Sequence, residues 1–138
     1  MRPLFADTSL FVSYVNPDED CHASAVEYLT RRPEPIVTTT WVLAELGNFL
    51  ARSRHRSWYV SFVRDLRTEP RLTVVGADEA SFDRGLRLYA QTPDKTWSAI
   101  DCISFAVMRE RRIRQALTSD HHFEQAGFTL SKRDSRSF

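Results

Sequence analysis

The apolar residues fall into short runs of two kinds. Some are continuous and rich in β-branched or small side chains, and others recur at helical spacing. Leu4, Phe5 and Ala6 form an unbroken run that stops at Asp7-Thr8-Ser9. This predicts a buried strand with Asp7 at its carboxyl end, then a short helix over 10–15. Asn16-Pro17-Asp18-Glu19-Asp20 reads as a turn and an acidic helix start. Ala23, Val26, Tyr28 and Leu29 carry that helix to about residue 32. Pro33 and Pro35 break it, and the β-branched stretch 36–40 predicts a second strand. Helices are expected over 41–51 and 57–67, the latter closed before Pro70. A third strand is expected over 72–77, and Asp78 caps a helix running to about 91. After a loop at 93–96, Ser98 opens a helix to about 111. A fourth strand follows over 114–119 and a last short one over 128–130. Residues 132–138 read as a basic, poorly ordered tail.

Strands alternating with helices predict parallel strands joined by right-handed crossovers. The expected fold class is α/β, a three-layer α/β/α sandwich with a central, mostly parallel sheet. Of the 138 residues, 1–131 are expected to make one domain, long enough to bury a core without disulfides. The longest uncharged stretches (8–17 and 35–44) are ten residues long. A membrane-spanning helix needs about 20, so none is expected. Residues 1–7 carry no secretory apolar region. Cys21 and Cys102, 81 positions apart, form neither a disulfide framework nor a metal knuckle, which fits a reduced, cytoplasmic compartment. A net charge of +1 does not itself call for a polyanion. Yet 17 of the 19 basic residues are Arg, whose planar fork suits phosphate; a GC-rich genome explains the same bias.

In open α/β sheets ligands bind beyond the carboxyl ends of the strands. Asp7 follows the first strand and Asp120 the fourth, while Glu45 and Asp101 lie in helices next to strands. Each has a structural alternative. Asp7 and Asp120 serve equally well as helix N-caps, Asp101 completes a capping arrangement with Ser98, and Glu45 suits a solvated helix face. The neighbours of Glu45 on its helix are Trp41, Val42, Asn48 and Phe49, and those of Asp101 are Trp97, Ser98, Ser104 and Phe105. Both acids therefore sit on largely apolar faces expected to turn inward. Unpaired buried carboxylates are costly, and a divalent cation keeps several ionised together. Oxygen ligands favour Mg2+ or Mn2+, and the adjacent pair His121-His122 reads as a surface pair at a helix start rather than a zinc site. Four acids around such a metal suit phosphodiester hydrolysis.

Four segments together carry a family resemblance: Phe5-Ala6-Asp7-Thr8-Ser9; Thr40-Trp41-Val42-Leu43-Ala44-Glu45; Trp97-Ser98-Ala99-Ile100-Asp101-Cys102-Ile103-Ser104-Phe105; and Leu117-Thr118-Ser119-Asp120 with Phe123 trailing. In order, spacing and context the chain resembles PIN-domain ribonucleases, and among them the VapC toxins of toxin–antitoxin pairs, over roughly residues 3–130. The resemblance implies a metal-dependent endoribonuclease with Asp7, Glu45, Asp101 and Asp120 as its catalytic acids. In the roles assigned here, Asp7, Asp101 and Asp120 hold the metal and Glu45 orients or deprotonates the attacking water. Ser9 and Thr118 fall where the family often carries supporting hydroxyls. The resemblance further implies a homodimer and a cognate VapB-type antitoxin that inserts a segment, often with an Arg, into the acidic cleft.

Arg52, Arg54, His55 and Arg56 follow the helix bearing Glu45 and are candidates for gripping RNA phosphates, although cations also suit a helix C-terminus. Arg109, Arg111, Arg112 and Arg114 read as a solvated helix end. Trp58 and Tyr59 read as core or interface more than as base-stacking residues. Gly47 is a candidate point of close helix approach. An aspartyl phosphatase needs a second acid where Ser9 stands. A receiver domain needs an acidic pair and a late Lys that are absent, and no glycine-rich phosphate loop occurs. The remaining alternative is a catalytically silent module that binds RNA or an antitoxin.

Overall fold

The computed structural model describes residues 1–133 and 136–137, with side chains to Ser131. Five parallel strands form the central sheet: β1 (Leu4–Ala6), β2 (Ile36–Thr39), β3 (Leu72–Val75), β4 (Gln115–Leu117) and β5 (Thr129–Leu130), in the spatial order β3-β2-β1-β4-β5. The helices among the described residues are α1 (Thr8–Val15), α2 (His22–Thr30), α3 (Thr40–Leu50), α4 (Tyr59–Thr68), α5 (Glu79–Gln91), α6 (Ala99–Arg111) and α7 (His122–Gln125). This is the expected α/β/α sandwich, with every pairing in the central sheet parallel.

The chain winds outward from β1 through β2 to β3, then returns across the sheet to β4. Right-handed crossovers put the helices of those two journeys on opposite faces. The direction of winding reverses between β1 and β4, and their carboxyl ends splay into the crevice where open α/β sheets bind ligands. Asp7 follows β1 directly, and Asp120 comes three residues after β4.

Several ends differ from the sequence expectation. The second strand stops at Thr39 instead of 40, because Thr39 Oγ1 accepts the Val42 N–H at 3.1 Å and so starts α3. The fourth strand is Gln115–Leu117, not 114–119, which leaves the Thr118 hydroxyl free of the sheet. The third strand ends at Val75, not 77. Asp18, Glu19 and Asp20 lie in an exposed turn before α2 rather than in its first turn. A 3-10 turn, Arg56–Trp58, precedes α4. Ser98 and Asp101 form a full capping box at the start of α6. At the other end of α6, Arg112 adopts the left-handed conformation (φ 58, ψ 38) that glycine takes freely. For any residue with a Cβ that conformation costs roughly 1 kcal/mol.

Part of the expected tail at 132–138 pairs as a ribbon, Lys132–Arg133 (β6) with Arg136–Ser137 (β7). The remainder of that expectation lies outside the described residues. No described helix is long and apolar enough to cross a membrane.

The core holds Phe5, Phe11, Leu46, Ile103, Phe105, Met108 and Phe123, all essentially inaccessible. Phe105 meets Trp97 and Phe123 edge to face, at 5.0 and 4.9 Å between ring centroids. This cluster ties α6, α7 and β1 together beneath the crevice. Trp58 stacks on Phe62 at 4.0 Å, and Tyr59 donates to the Leu43 carbonyl, so both aromatics pack inward. Gly47 makes that approach possible, since a Cβ there would lie 2.8 Å from the Tyr59 ring. Gly85 is tighter still. A Cβ would lie 2.4 Å from Ile103 Cγ1 and 2.9 Å from its backbone, at the closest α5–α6 crossing. Arg71 staples the sheet to α2, donating to the carbonyls of Tyr28, Leu29 and Glu34.

Candidate active site

A cavity of about 460 Å³ opens at the carboxyl ends of β1 and β4. Asp7, Glu19, Glu45 and Asp120 line it, together with the hydroxyls of Thr8, Ser9, Ser13 and Ser119, and Val12 and Phe49 complete the wall. No Arg or Lys is among the lining residues.

Asp7 occupies the N-cap position of α1, but its side chain makes no capping bond and stays buried, 7% exposed. The Thr118 hydroxyl donates to Asp7 Oδ2 at 2.9 Å and accepts the Asp120 N–H at 3.0 Å. Ser9 Oγ lies 3.2 Å from Thr118 Oγ1 and accepts the Ser119 N–H at 3.1 Å. The hydroxyls of Ser9 and Thr118 thus lock the end of β1 to the turn after β4. Burial drives the Asp7 carboxyl up from 3.8 to about 7. Hydrogen bonds from the Thr8 backbone and the Thr118 hydroxyl pull the other way, and the charges of Asp101 and Glu45 add to the rise. Asp7 thus titrates near neutrality unless a cation joins it.

Glu45 accepts a hydrogen bond from the Thr8 hydroxyl, which aims it across the crevice from α3. Its helix face is less buried than the sequence suggests. Phe49, one turn on, is 62% exposed because it borders the open cavity, and Asn48 is exposed beside the α3–α4 groove.

Asp101 reaches the site from the first turn of α6. Its Oδ2 accepts the Ser98 N–H at 3.2 Å and also lies 3.1 Å from His122 Nδ1. The capping role and the place in the site coexist on one carboxylate. His122 Nδ1 also lies 3.4 Å from Asp120 Oδ1, which accepts the His122 N–H at 2.9 Å. Ligand atoms of Asp101, Asp120 and His122 all fall within 4.8 Å of one another. The expected surface pair therefore splits. The His121 side chain is 72% exposed, whereas that of His122 is 19% exposed and sits between two acids. His122 is the site residue that sequence reasoning missed. The available signal was its position two residues after a strand-end Asp, where a turn carries alternate side chains to opposite sides. Glu19, read from sequence as a turn acid, is the other addition.

Asp7, Glu45 and Asp120 thus share the cavity wall. Asp101 stands beyond Asp120, joined through His122, yet close enough for its charge to act on Asp7. The Arg residues after α3 do not converge. Arg56 Nη1 donates to the Ala51 carbonyl at 3.0 Å beside the α3–α4 groove, and Arg54 lines a separate pocket with His22, His55 and Trp58. Arg52 is exposed, and none of the three lines the acid cavity. The group of Asp101, Asp120 and His122 fits a hard divalent cation, with two carboxylates and one imidazole, and Asp7, whose ionisation is opposed by burial, lies on the adjoining cavity wall.

The family profile of the PIN domain matches residues 4–129, from the start of β1 into β5. The chain belongs to the PIN-domain family. This PIN domain is 29% identical, over 126 residues, to the 23S rRNA-specific endonuclease VapC20 of Mycobacterium tuberculosis, covering 91% of this chain and 95% of that protein. In fold it is similar to the crystal structure of VapC20, described as a sarcin-ricin loop cleaving toxin. The TM-score is 0.83 at 24% identity, over 94% of this chain and 99% of the other. It is also similar in fold to VapBC of Salmonella typhimurium bound to DNA (TM-score 0.66, 15% identity, 95% and 98% covered).

Proposed function

We propose that this PIN domain is a metal-dependent endoribonuclease that hydrolyses RNA phosphodiester bonds as the toxin of a type II toxin–antitoxin pair. The observation that carries this reading is the cavity itself. It gathers acids from the end of β1, from α3 and from the turn after β4, offers them no Arg or Lys, and leaves Asp7 titrating near neutrality without a cation. The likeness to an RNA endonuclease over nearly the whole length of both chains supports the choice of substrate.

Asp7, Asp101 and Asp120 would hold Mg2+ or Mn2+, with His122 joining or orienting the last two. When bound, the cation supplies charge neutralisation at the phosphoryl oxygens and an acidified water. Glu45, held by the Thr8 hydroxyl, orients the attacking water and accepts its proton. Ser9 and Thr118 keep Asp7 and the Asp120 turn at fixed separation, so the acids need little rearrangement on binding. Arg52 and Arg54 are exposed and available to phosphates away from the acid cavity, with Arg56 partly engaged by its own backbone. The partners in this reading are structured RNA, a VapB-type antitoxin that fills the acidic cleft with a cation, and a second copy of the chain, all in the cytoplasm.

Purified protein incubated with a stem-loop segment of large-subunit ribosomal RNA tests the reading. Cleavage is expected with Mg2+ or Mn2+, and none in EDTA or with Asp101→Asn. Cleavage that persists in chelator refutes metal dependence. RNA binding without cleavage under any metal condition favours the silent-module alternative.

A further inference from the structure

A second cavity, about 600 Å³, lies at the end of the sheet opposite the acids. Its walls are Arg2, Pro3, Arg112, Arg114, Gln115 and Thr129. Arg2 and Pro3 precede β1, Arg112 and Arg114 precede β4, and Gln115 and Thr129 are the first residues of β4 and β5. Since these strands are parallel, every wall residue sits at an amino end, whereas the acids sit at carboxyl ends. From Pro3 to Asp7 the chain spans roughly 13 Å of extended backbone.

Three guanidinium groups share this cavity, and no acid lines it. Other arginines find partners, Arg84 on Glu110 at 2.7 Å and Arg71 on three carbonyls. The side chains of Arg2, Arg112 and Arg114 form no hydrogen bond or ion pair among the described residues. A helix end attracts cations, but that accounts for Arg109 and Arg111 in the last turn of α6 and not for Arg2, which arrives from the chain's start. Arg112 adds a second, independent observation. It holds a left-handed backbone position that glycine fills without penalty, so this Arg stands there at a local backbone cost.

We propose that this cavity is a phosphate-binding exosite that grips the RNA backbone at a distance from the cleavage site. The inference rests on the reading that the substrate is RNA. The chemistry favours a polyanion over a neutral protein segment, because the lining residues include three arginines and no acid. Pro3 is the sole apolar residue type among them, so no large aliphatic or aromatic side chain lines the cavity to anchor a helix. Arg forks bind phosphate oxygens in pairs, and Gln115 and Thr129 add neutral donors. With the two sites at opposite ends of the sheet, one RNA occupies both only if it is folded or wraps the sheet edge. The exosite therefore selects structured RNA over short single strands.

The test compares wild type, Arg112→Gly, and Arg2→Ala combined with Arg114→Ala, in the full chain. Equilibrium binding of a labelled stem-loop RNA is measured in EDTA across a salt series. Cleavage of a short unstructured oligonucleotide is measured separately with Mg2+. The double variant is expected to lose roughly tenfold or more in stem-loop affinity. The dependence of log affinity on log salt should flatten by about 0.7–0.9 for each arginine removed. Arg112→Gly should weaken binding while leaving the thermal unfolding midpoint unchanged or raised, which a purely structural Arg would not do. Short-oligonucleotide cleavage should match wild type in every variant. Unchanged stem-loop affinity and salt slope overturn the proposal. So does loss of affinity for polyglutamate with RNA affinity intact, which would assign the cavity to an acidic peptide. If the variants lose stem-loop affinity while wild type cleaves no RNA, the exosite stands and the nuclease reading fails.

Discussion

Asp7→Asn removes one buried charge and almost nothing else, so it isolates what that charge costs the metal-free protein. The Asp7 carboxyl is buried at the end of β1, and its ionisation is displaced from 3.8 to about 7, mainly by burial. Between those values the folded protein keeps a proton that the unfolded chain has released. The stability linked to this proton is fully present below about pH 4 and is lost as pH rises through about 7. At 1.36 kcal/mol per pH unit, the displacement is worth roughly 4 kcal/mol above neutrality, of which roughly 2.5 kcal/mol disappears between pH 5 and pH 8. Asn still accepts the Thr118 hydroxyl through its amide oxygen and never ionises. Urea unfolding in EDTA should therefore show wild type losing roughly 2.5 kcal/mol relative to the variant over that interval, with the variant more stable at pH 8. A typical domain has only about 5–15 kcal/mol in total, so the effect is well within reach of the assay. Saturating Mg2+ or Mn2+ should raise the wild-type midpoint and leave the variant nearly unmoved. Parallel pH profiles for the two proteins in EDTA would refute the reasoning.

Thr118→Val keeps the side-chain volume but strands the Asp7 carboxylate and the Asp120 N–H. Unfolding free energy should fall by about 1–3 kcal/mol in urea titrations, and the Asp7 transition should move to higher pH. His122→Ala leaves Asp101 and Asp120 facing each other without a donor between them. A loss of about 1 kcal/mol is expected in EDTA, largely recovered on adding Mn2+; equal losses with and without metal would contradict the placement of His122. Gly85→Ala forces a methyl group into Ile103 and should cost about 1–3 kcal/mol, read by calorimetry as a fall of several degrees in melting temperature.

The strands and their order of appearance were legible because continuous runs such as Leu4-Phe5-Ala6 are buried on both faces and end abruptly at a polar residue. The helix starts at Asp78 and Ser98 were equally legible, since a cap is a local hydrogen bond written in two or three residues. Strand lengths were less so. Thr40 belongs by composition to a strand but opens α3, which Thr39 caps from the end of β2, and Thr118 is buried yet outside β4. The four acids drew attention through their positions at strand ends and on apolar helix faces. What the sequence could not reveal was which face each neighbour takes. Phe49 borders the crevice instead of the core, and His122 turns in while His121 turns out. The dispersal of Arg52, Arg54 and Arg56 depends on the turns at 51–55 and the 3-10 turn that follows, whose conformations carry no periodic signal.

The nuclease chemistry depends on Asp7, Asp101 and Asp120, from three separated segments, holding a divalent cation. Titration of Mn2+ into the metal-free protein, followed by the electron paramagnetic resonance of free Mn2+, measures it most directly. Saturable binding is expected for wild type and for Glu79→Gln, an exposed acid in the first turn of α5, with marked weakening in Asp7→Asn and Asp101→Asn. Equal Mn2+ affinity in all four proteins, or no saturable binding in any, would contradict it.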